Sequence, residues 1–213
     1  MVASADGLRQ LLLKSGIDPE SDCGKQMLAY LALLQKWNST VNLTSTTDWT
    51  GIFPLFQEAI CASSLYPDGA ASHLDIGSGG GFPAIPLKIL RPQIRLEMIE
   101  SRMKRCVFLE TVAQSLGFAE TTVHNVRLNV FLKSTNRDKV WDCISWKALK
   151  LGSVDLKGLR EHAHPKTQFW VFHGKGLPVE NPEIFRTNFR LMRQERIESD
   201  KEWYLSIYCS ANG

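Results

Sequence analysis

The chain has 213 residues, 44% of them hydrophobic, and its 25 Lys and Arg against 22 Asp and Glu give a formal net charge of +3. That length fits one domain with at most a small appended part, and the composition supports a packed core rather than a disordered or low-complexity chain. No run nears the roughly 18 apolar residues of a membrane span, and five scattered cysteines without a Cys-x-x-Cys pair suit reduced thiols better than a disulfide framework or a zinc knuckle.

In chain order, Met1-Val2-Ala3-Ser4-Ala5-Asp6 has neither the basic start nor the apolar core of a secretory signal, so a cytoplasmic protein is expected. Leu8, Leu11 and Leu12 predict a short amphipathic helix ending near Gly16. Asp18-Pro19 and Ser21-Asp22 read as a turn and a helix cap. Met27, Leu31 and Leu34, with Tyr30 and Trp37, then repeat at helical spacing to about residue 37. The polar stretch from Trp37 to Thr44 reads as irregular. A third helix is expected from about Thr50 to Leu65, with Ile52, Phe56 and Ile60 on one face and Pro54 tolerated in its first turn.

From residue 73 the pattern alternates between strand and helix. Strands are expected at 73–77, 95–100, 121–125, 141–146 and 168–172, with helices at about 83–90 and 102–116, the latter stopped by Gly117. Such alternation predicts a mostly parallel sheet with helices on both faces. Phe189 to Glu198 and Glu202 to Cys209 are two strand-like runs around the polar turn Ser199-Asp200-Lys201, which asks for an antiparallel hairpin at the sheet edge.

The stretch Asp75-Ile76-Gly77-Ser78-Gly79-Gly80-Gly81-Phe82 carries the chemistry. Glycines this dense let backbone amides approach a ligand and permit positive φ. A strand, Gly loop and helix in succession form a cofactor-binding unit. The spacing fits the dinucleotide fingerprint Gly-x-Gly-x-x-Gly poorly, because the sixth position from Gly77 is Phe82. It fits Asp-x-Gly-x-Gly-x-Gly, with Asp75 two residues before the first glycine. A carboxylate there suits a ligand with cationic groups and no pyrophosphate, such as S-adenosylmethionine. Glu100 closes the second strand, where an acid can accept bonds from two ribose hydroxyls. That position would serve NAD equally, so the glycine spacing decides between them.

Charge is unevenly placed. Residues 1–87 carry 4 basic and 8 acidic groups, whereas residues 88–150 carry 12 and 6, a local excess of +6 directly after the loop. That section is either a solvated face or a surface for phosphates. His162-x-His164, before Pro165, is expected to face solvent rather than bind a metal. Trp146 fits two roles equally well, stacking on a base or packing in the core.

His73 through Arg91-Pro92, followed by Ser101-Arg102-Met103-Lys104-Arg105-Cys106-Val107-Phe108-Leu109, resembles the core of the bacterial 16S rRNA methyltransferase G family, also called glucose-inhibited division protein B. Trp37-Asn38 with Val41-Asn42-Leu43-Thr44, and Asp142 through Ala148, are similar to two further segments of that family. Gly174-x-x-Leu177-Pro178 matches more loosely.

The resemblance implies a class I (Rossmann-like) methyltransferase fold: a mostly parallel seven-stranded sheet with an antiparallel C-terminal edge hairpin. It would divide into an N-terminal helical extension, residues 1–70, and a cofactor-binding domain, residues 71–213. It also implies transfer of the S-adenosylmethionine methyl to a guanine N7 of small-subunit rRNA, free or in the 30S particle, with no metal and no membrane.

Carried over by position, Gly77 and Phe82 would line the methionine end of the cofactor, joining the cofactor-binding positions Asp75, Gly79 and Gly81 of the loop and Glu100 at the ribose. Leu128 and Asn129 contact adenine, and Lys147 stands where the family has a cofactor-side arginine. Lys104, Arg105 and Arg127 are the RNA-facing basic positions, and Lys147 and Arg127 are the positioning candidates in place of a catalytic acid or base. The chain departs from the family pattern at Asn129, where an acid is expected, at Trp146, at Lys147 and at His173, and it lacks a histidine near Gln57-Glu58. Guanine N7 carries no proton, so its alkylation needs no general base, and positioning and electrostatics would suffice. The alternatives are a methyltransferase for another substrate and a non-catalytic cofactor- or RNA-binding relative.

Overall fold

A computed structural model describes residues 4–136, 138–197 and 202–211. Three helices come first: α1 (Ser4–Lys14), α2 (Asp22–Val41) and α3 (Trp49–Ser64). Ser21 caps α2 by accepting from the Gly24 amide, and Asn42 ends it in the left-handed region, the conformation that asparagine tolerates best after glycine. The helix therefore runs through Trp37–Val41, which the sequence reads as irregular. Asn38 explains the mismatch, because its Oδ1 accepts the amides of Leu43 and Thr44 at 2.8 Å and so serves the chain just beyond the helix.

The remainder alternates as β1 (Ser72–Ile76), α4 (Ala84–Leu90), β2 (Arg95–Glu100), α5 (Met103–Ser115), β3 (Thr121–Asn125), α6 (Leu128–Ser134), β4 (Trp141–Lys147), α7 (Ser153–Glu161), β5 (Ala163–His173), α8 (Pro182–Asn188), β6 (Phe189–Ile197) and β7 (Trp203–Ser210). The seven strands lie in the order β3-β2-β1-β4-β5-β7-β6. β1 to β5 are mutually parallel, while β7 runs antiparallel between β5 and β6. The terminal hairpin expected from the sequence is present; the turn read at Ser199-Asp200-Lys201 and the strand end at Glu198 lie outside the described residues. The sequence pattern assigns no helix to α6, α7 or α8. At seven, nine and seven residues they are too short to display a helical repeat.

Every residue of β1 is buried, because helices cover both faces of the sheet. On one face, side chains of α1 to α3 pack with Ile85 and Ile89 of α4, Phe108, Leu109 and Val112 of α5, and Leu96 and Met98 of β2. On the other, Leu74, Ile76, Ile144 and Trp146 pack against α6, α7 and α8. Trp146 is fully buried beside Phe185, so it is a core residue in this structure. His162 departs from expectation. It is 3% exposed, with Nδ1 2.8 Å from the Lys139 carbonyl, because β5 begins five residues earlier than its apolar run and draws this corner inside. His164 pairs with Asp142 at 3.0 Å. Among the described residues there is no group of three His, Cys, Asp or Glu able to hold a metal, and no helix long and apolar enough to cross a membrane.

Candidate active site

Strand order reverses between β1 and β4, and the C-terminal ends of the strands there form the crevice in which such sheets bind ligands. The chain turns sharply after Ile76. Gly77 and Ser78 both donate to the Ile99 carbonyl, at 2.8 and 3.1 Å, which closes the loop onto the end of β2. Gly77 and Gly79 have φ of +70° and +56°, a region where a side chain is strained. The Gly79 amide donates to Oε2 of Glu100 at 3.0 Å, and the Arg102 amide donates to its Oε1 at 2.8 Å. Loop and acid are thus fixed to each other by backbone groups, with little rotamer freedom left to Glu100.

Asp75 is buried at the end of β1. Its Oδ1 accepts from the Ser145 hydroxyl, and its Oδ2 is buried with no partner among the described residues. Burial raises its pKa to about 6, against the lowering effects of Ser145, Ser78 and Lys147.

Not every glycine of the loop faces the crevice. Gly80 and Gly81 are packing positions: the Tyr30 hydroxyl of α2 donates to the Gly80 carbonyl at 2.6 Å, and a Cβ on Gly81 would collide with Ile85. Phe82 is enclosed by Tyr30 and Phe56, with ring centroids 5.2 and 5.1 Å away. α2 and α3 therefore brace the loop from behind, while Gly77 is exposed on its open side and Gly79 is buried beside Arg105. Leu128 and Asn129 begin α6, directly beyond the end of β3 on the same edge of the sheet, Leu128 buried and Asn129 exposed.

Lys147 ends β4. Its ammonium lies 2.7 and 2.8 Å from the two carboxylate oxygens of Glu58 on α3, and over the Trp203 ring at 5.5 Å. Burial raises the Glu58 pKa and Lys147 opposes that rise. Sequence reasoning missed Glu58, whose one signal is a lone acid within an apolar helix. It also missed Ser145, which stands two residues before Lys147 and therefore shares its face of the sheet. The basic positions do not form one patch. Lys104 is exposed and lines a groove between α2 and α5, with Lys36 and Trp37 opposite. Arg105 is largely turned inward, donating to the Asn42 carbonyl at 3.0 Å with another nitrogen 4.0 Å from Glu100. Arg127 is exposed at the start of α6.

Known proteins share this fold. A ribosomal protein L11 methylase from Lactobacillus delbrueckii superposes with a TM-score of 0.53 at 14% identity, over 73% of this chain and 78% of its own. A glycopeptide N-methyltransferase, MtfA, solved with S-adenosylmethionine, gives 0.53 at 14% identity over 73% of this chain and 93% of its own. The fold is that of the class I methyltransferases. In sequence, the chain is 32% identical over 161 residues to the ribosomal RNA small subunit methyltransferase G of Roseiflexus, covering 75% of this chain and 66% of the relative. It is 35% identical over 178 residues to the protein of that name from Parvibaculum lavamentivorans, covering 73% and 77%. With the Staphylococcus epidermidis relative the match spans 62% of that protein's length, and the chain spans a little under two thirds of the length of most of these curated relatives. The model of the rRNA small subunit methyltransferase G family, GidB, matches residues 24–194, most of the chain and all of the crevice just described, and the chain belongs to that family.

Proposed function

We propose that this chain transfers a methyl group from S-adenosylmethionine to small-subunit 16S rRNA, at a guanine N7. The observation that carries the reading is the joined loop and acid at the strand ends, Gly77 and Gly79 bonded back to Ile99 and Glu100, in a chain of the methyltransferase G family. The residues fit the cofactor's chemistry. Asp75 offers a buried, unpartnered carboxylate oxygen to a cationic group, Glu100 keeps acceptor capacity for ribose hydroxyls, and the positive φ of Gly77 and Gly79 turns the loop back onto the strand ends.

When bound, S-adenosylmethionine supplies an electrophilic methyl on a sulfonium. The protein's part is to hold the amino-acid end at Asp75, Gly77 and Gly79, the ribose at Glu100, and the adenine at Leu128 and Asn129. Gly81 and Phe82 support the loop by packing. No proton has to move, since N7 of guanine attacks with a free lone pair. Positioning and the exclusion of water account for the acceleration, and Lys147 and Arg127 flank the place where the base would enter. Lys104 and Arg127, the exposed basic positions, serve the RNA backbone, so binding weakens with salt, whereas Arg105 is committed to Asn42 and Glu100. Residues 1–70 act as a helical extension that braces the cofactor domain, 71–213.

One observation favours a second reading, a relative acting on another substrate: Lys147 is already neutralised by Glu58. Calorimetric titration with S-adenosylmethionine tests the cofactor assignment. Saturable binding at one site is expected, and complete absence of binding would remove the proposal.

A further inference from the structure

Four side chains form a buried line beneath the glycine loop: Tyr66 just beyond α3, His73 and Asp75 on β1, and Ser145 on β4. His73 and Asp75 are two residues apart and face the same side of the sheet, and Ser145 is the register partner of Asp75. The Ser145 hydroxyl oxygen lies 2.5 Å from Asp75 Oδ1 and 2.8 Å from His73 Nε2, and the Tyr66 hydroxyl lies 3.2 Å from His73 Nδ1.

Counting hydrogens fixes every role. An ionised Asp75 only accepts, so the single Ser145 hydrogen goes to it. Ser145 must then accept from His73, which places the imidazole hydrogen on Nε2. Nδ1 is left bare and accepts from the Tyr66 hydroxyl. One neutral tautomer satisfies all three bonds. Burial supports the neutral form, lowering the His73 pKa to about 3.

A histidine is an expensive residue for this place. His73 is 1% exposed, stacked on Tyr66 with ring centroids 5.7 Å apart, and edge-on to Trp170. An apolar residue would fill the same space without desolvating two ring nitrogens. What the imidazole adds is a fixed direction for the Ser145 hydroxyl, and through it a fixed rotation of the Asp75 carboxyl. One carboxylate oxygen is consumed inside the protein, and Oδ2 is left buried without a partner.

We propose that His73 and Ser145 are positioning residues for the cationic amino-acid end of the cofactor, holding Asp75 so that its one uncommitted oxygen stays available to the ammonium group. This rests on the proposed function and refines it, since it assigns a role to two residues that touch no ligand themselves.

The test is calorimetric titration of the full chain and its variants with two probes, S-adenosylhomocysteine, which keeps the amino-acid end, and 5′-methylthioadenosine, which lacks it. In Ser145→Ala and His73→Leu, affinity for S-adenosylhomocysteine falls about tenfold, the scale of a misplaced bond to a charged group, while affinity for methylthioadenosine stays unchanged. His73→Gln, whose amide can donate to Ser145 and accept from Tyr66, restores the S-adenosylhomocysteine affinity. Equal losses for both probes, or no loss for either, overturn the proposal. Wild-type protein that binds neither probe overturns the cofactor reading on which it rests, a result distinct from wild-type binding with indifferent variants. Nitrogen-15 NMR of the wild-type imidazole gives a check that needs no variant to fold: a neutral ring in the Nε2–H tautomer is expected at pH 7 to 8, where Asp75 is ionised, and an Nδ1–H tautomer or a charged ring there contradicts it.

Discussion

At the scale of single residues, the site is governed by buried charges. Asp75 faces Lys147, whose positive field lowers its pKa, and Glu100, whose negative field raises it; burial outweighs both and leaves the value at about 6, above the usual 3.8. The folded state therefore binds that proton more tightly than the unfolded chain, so the residue's contribution to stability is full at low pH and is lost as pH rises through about 6. Ligand binding runs the other way, because an ammonium group prefers the ionised carboxylate. Affinity for S-adenosylhomocysteine is predicted to weaken several-fold between pH 7 and 5, and titrations of Asp75→Asn should show none of that dependence. Lys147 and Glu58 form a pair with side chains only 16% and 3% exposed. Lys147→Met strands the Glu58 charge and should cost about 3 kcal/mol in urea denaturation, with much of it recovered in the double variant Lys147→Met/Glu58→Gln. Equal stability of wild type and the single variant would mean that Glu58 is solvated or protonated. Asp75, Gly77, Gly79 and Glu100 were legible in the sequence because spacing alone marks a strand end, a loop and a second strand end. Glu58 and Ser145 were not, since their roles arise from contacts across 89 and 70 residues of chain.

At the scale of elements, the far end of the sheet is tied together by Glu97 of β2. It is 4% exposed and accepts from Lys139 at 2.7 Å and from Trp141 at 3.0 Å, with His124 of β3 at 3.0 Å. Burial would raise its pKa, but the bonds from His124, Lys139 and Trp141 outweigh it and bring the value to about 2. The sign is opposite to that of Asp75: the stabilisation is present above the ordinary value of 4.5 and is lost as pH falls toward 2. Glu97→Gln is predicted to cost about 2–3 kcal/mol at pH 7, and chemical denaturation should show the gap closing below pH 4; a gap independent of pH would refute the ion-pair account. Strands β1 and β2 could be read from Leu74 and Ile76 before the glycine loop and from Leu96, Met98 and Ile99 before Glu100. The short helices α6 to α8 could not, since docking against the sheet, rather than their own periodicity, holds them helical. The extra turn of α2 was hidden for a similar reason, with Asn38 and Asn42 looking like loop residues until their capping bonds are seen.

For the molecule as a whole, the N-terminal helices share one apolar cluster with the sheet, from Leu8 and Leu12 through Tyr30 and Phe56 to Phe82, Met98 and Phe108. Tyr30 carries that contact to the Gly80 carbonyl. Sequence patterning shows helices followed by an alternating α/β region, but it cannot show that the first three helices support the cofactor loop, because that depends on which faces meet. The basic section after the loop is a similar case: its excess charge is plain in the sequence, yet Arg105 is folded inward while Lys104 and Arg127 stay exposed. Membership of the methyltransferase G family and the crevice geometry are the two supports of the proposed methyl transfer to small-subunit rRNA. The most direct test is to incubate the purified protein with isotopically labelled S-adenosylmethionine and 16S rRNA or 30S particles lacking this modification, and then to map labelled nucleotides by mass spectrometry. Stoichiometric label at a single 7-methylguanine is expected; bound cofactor with no label in either substrate, or label on another nucleotide position, would contradict the proposed function.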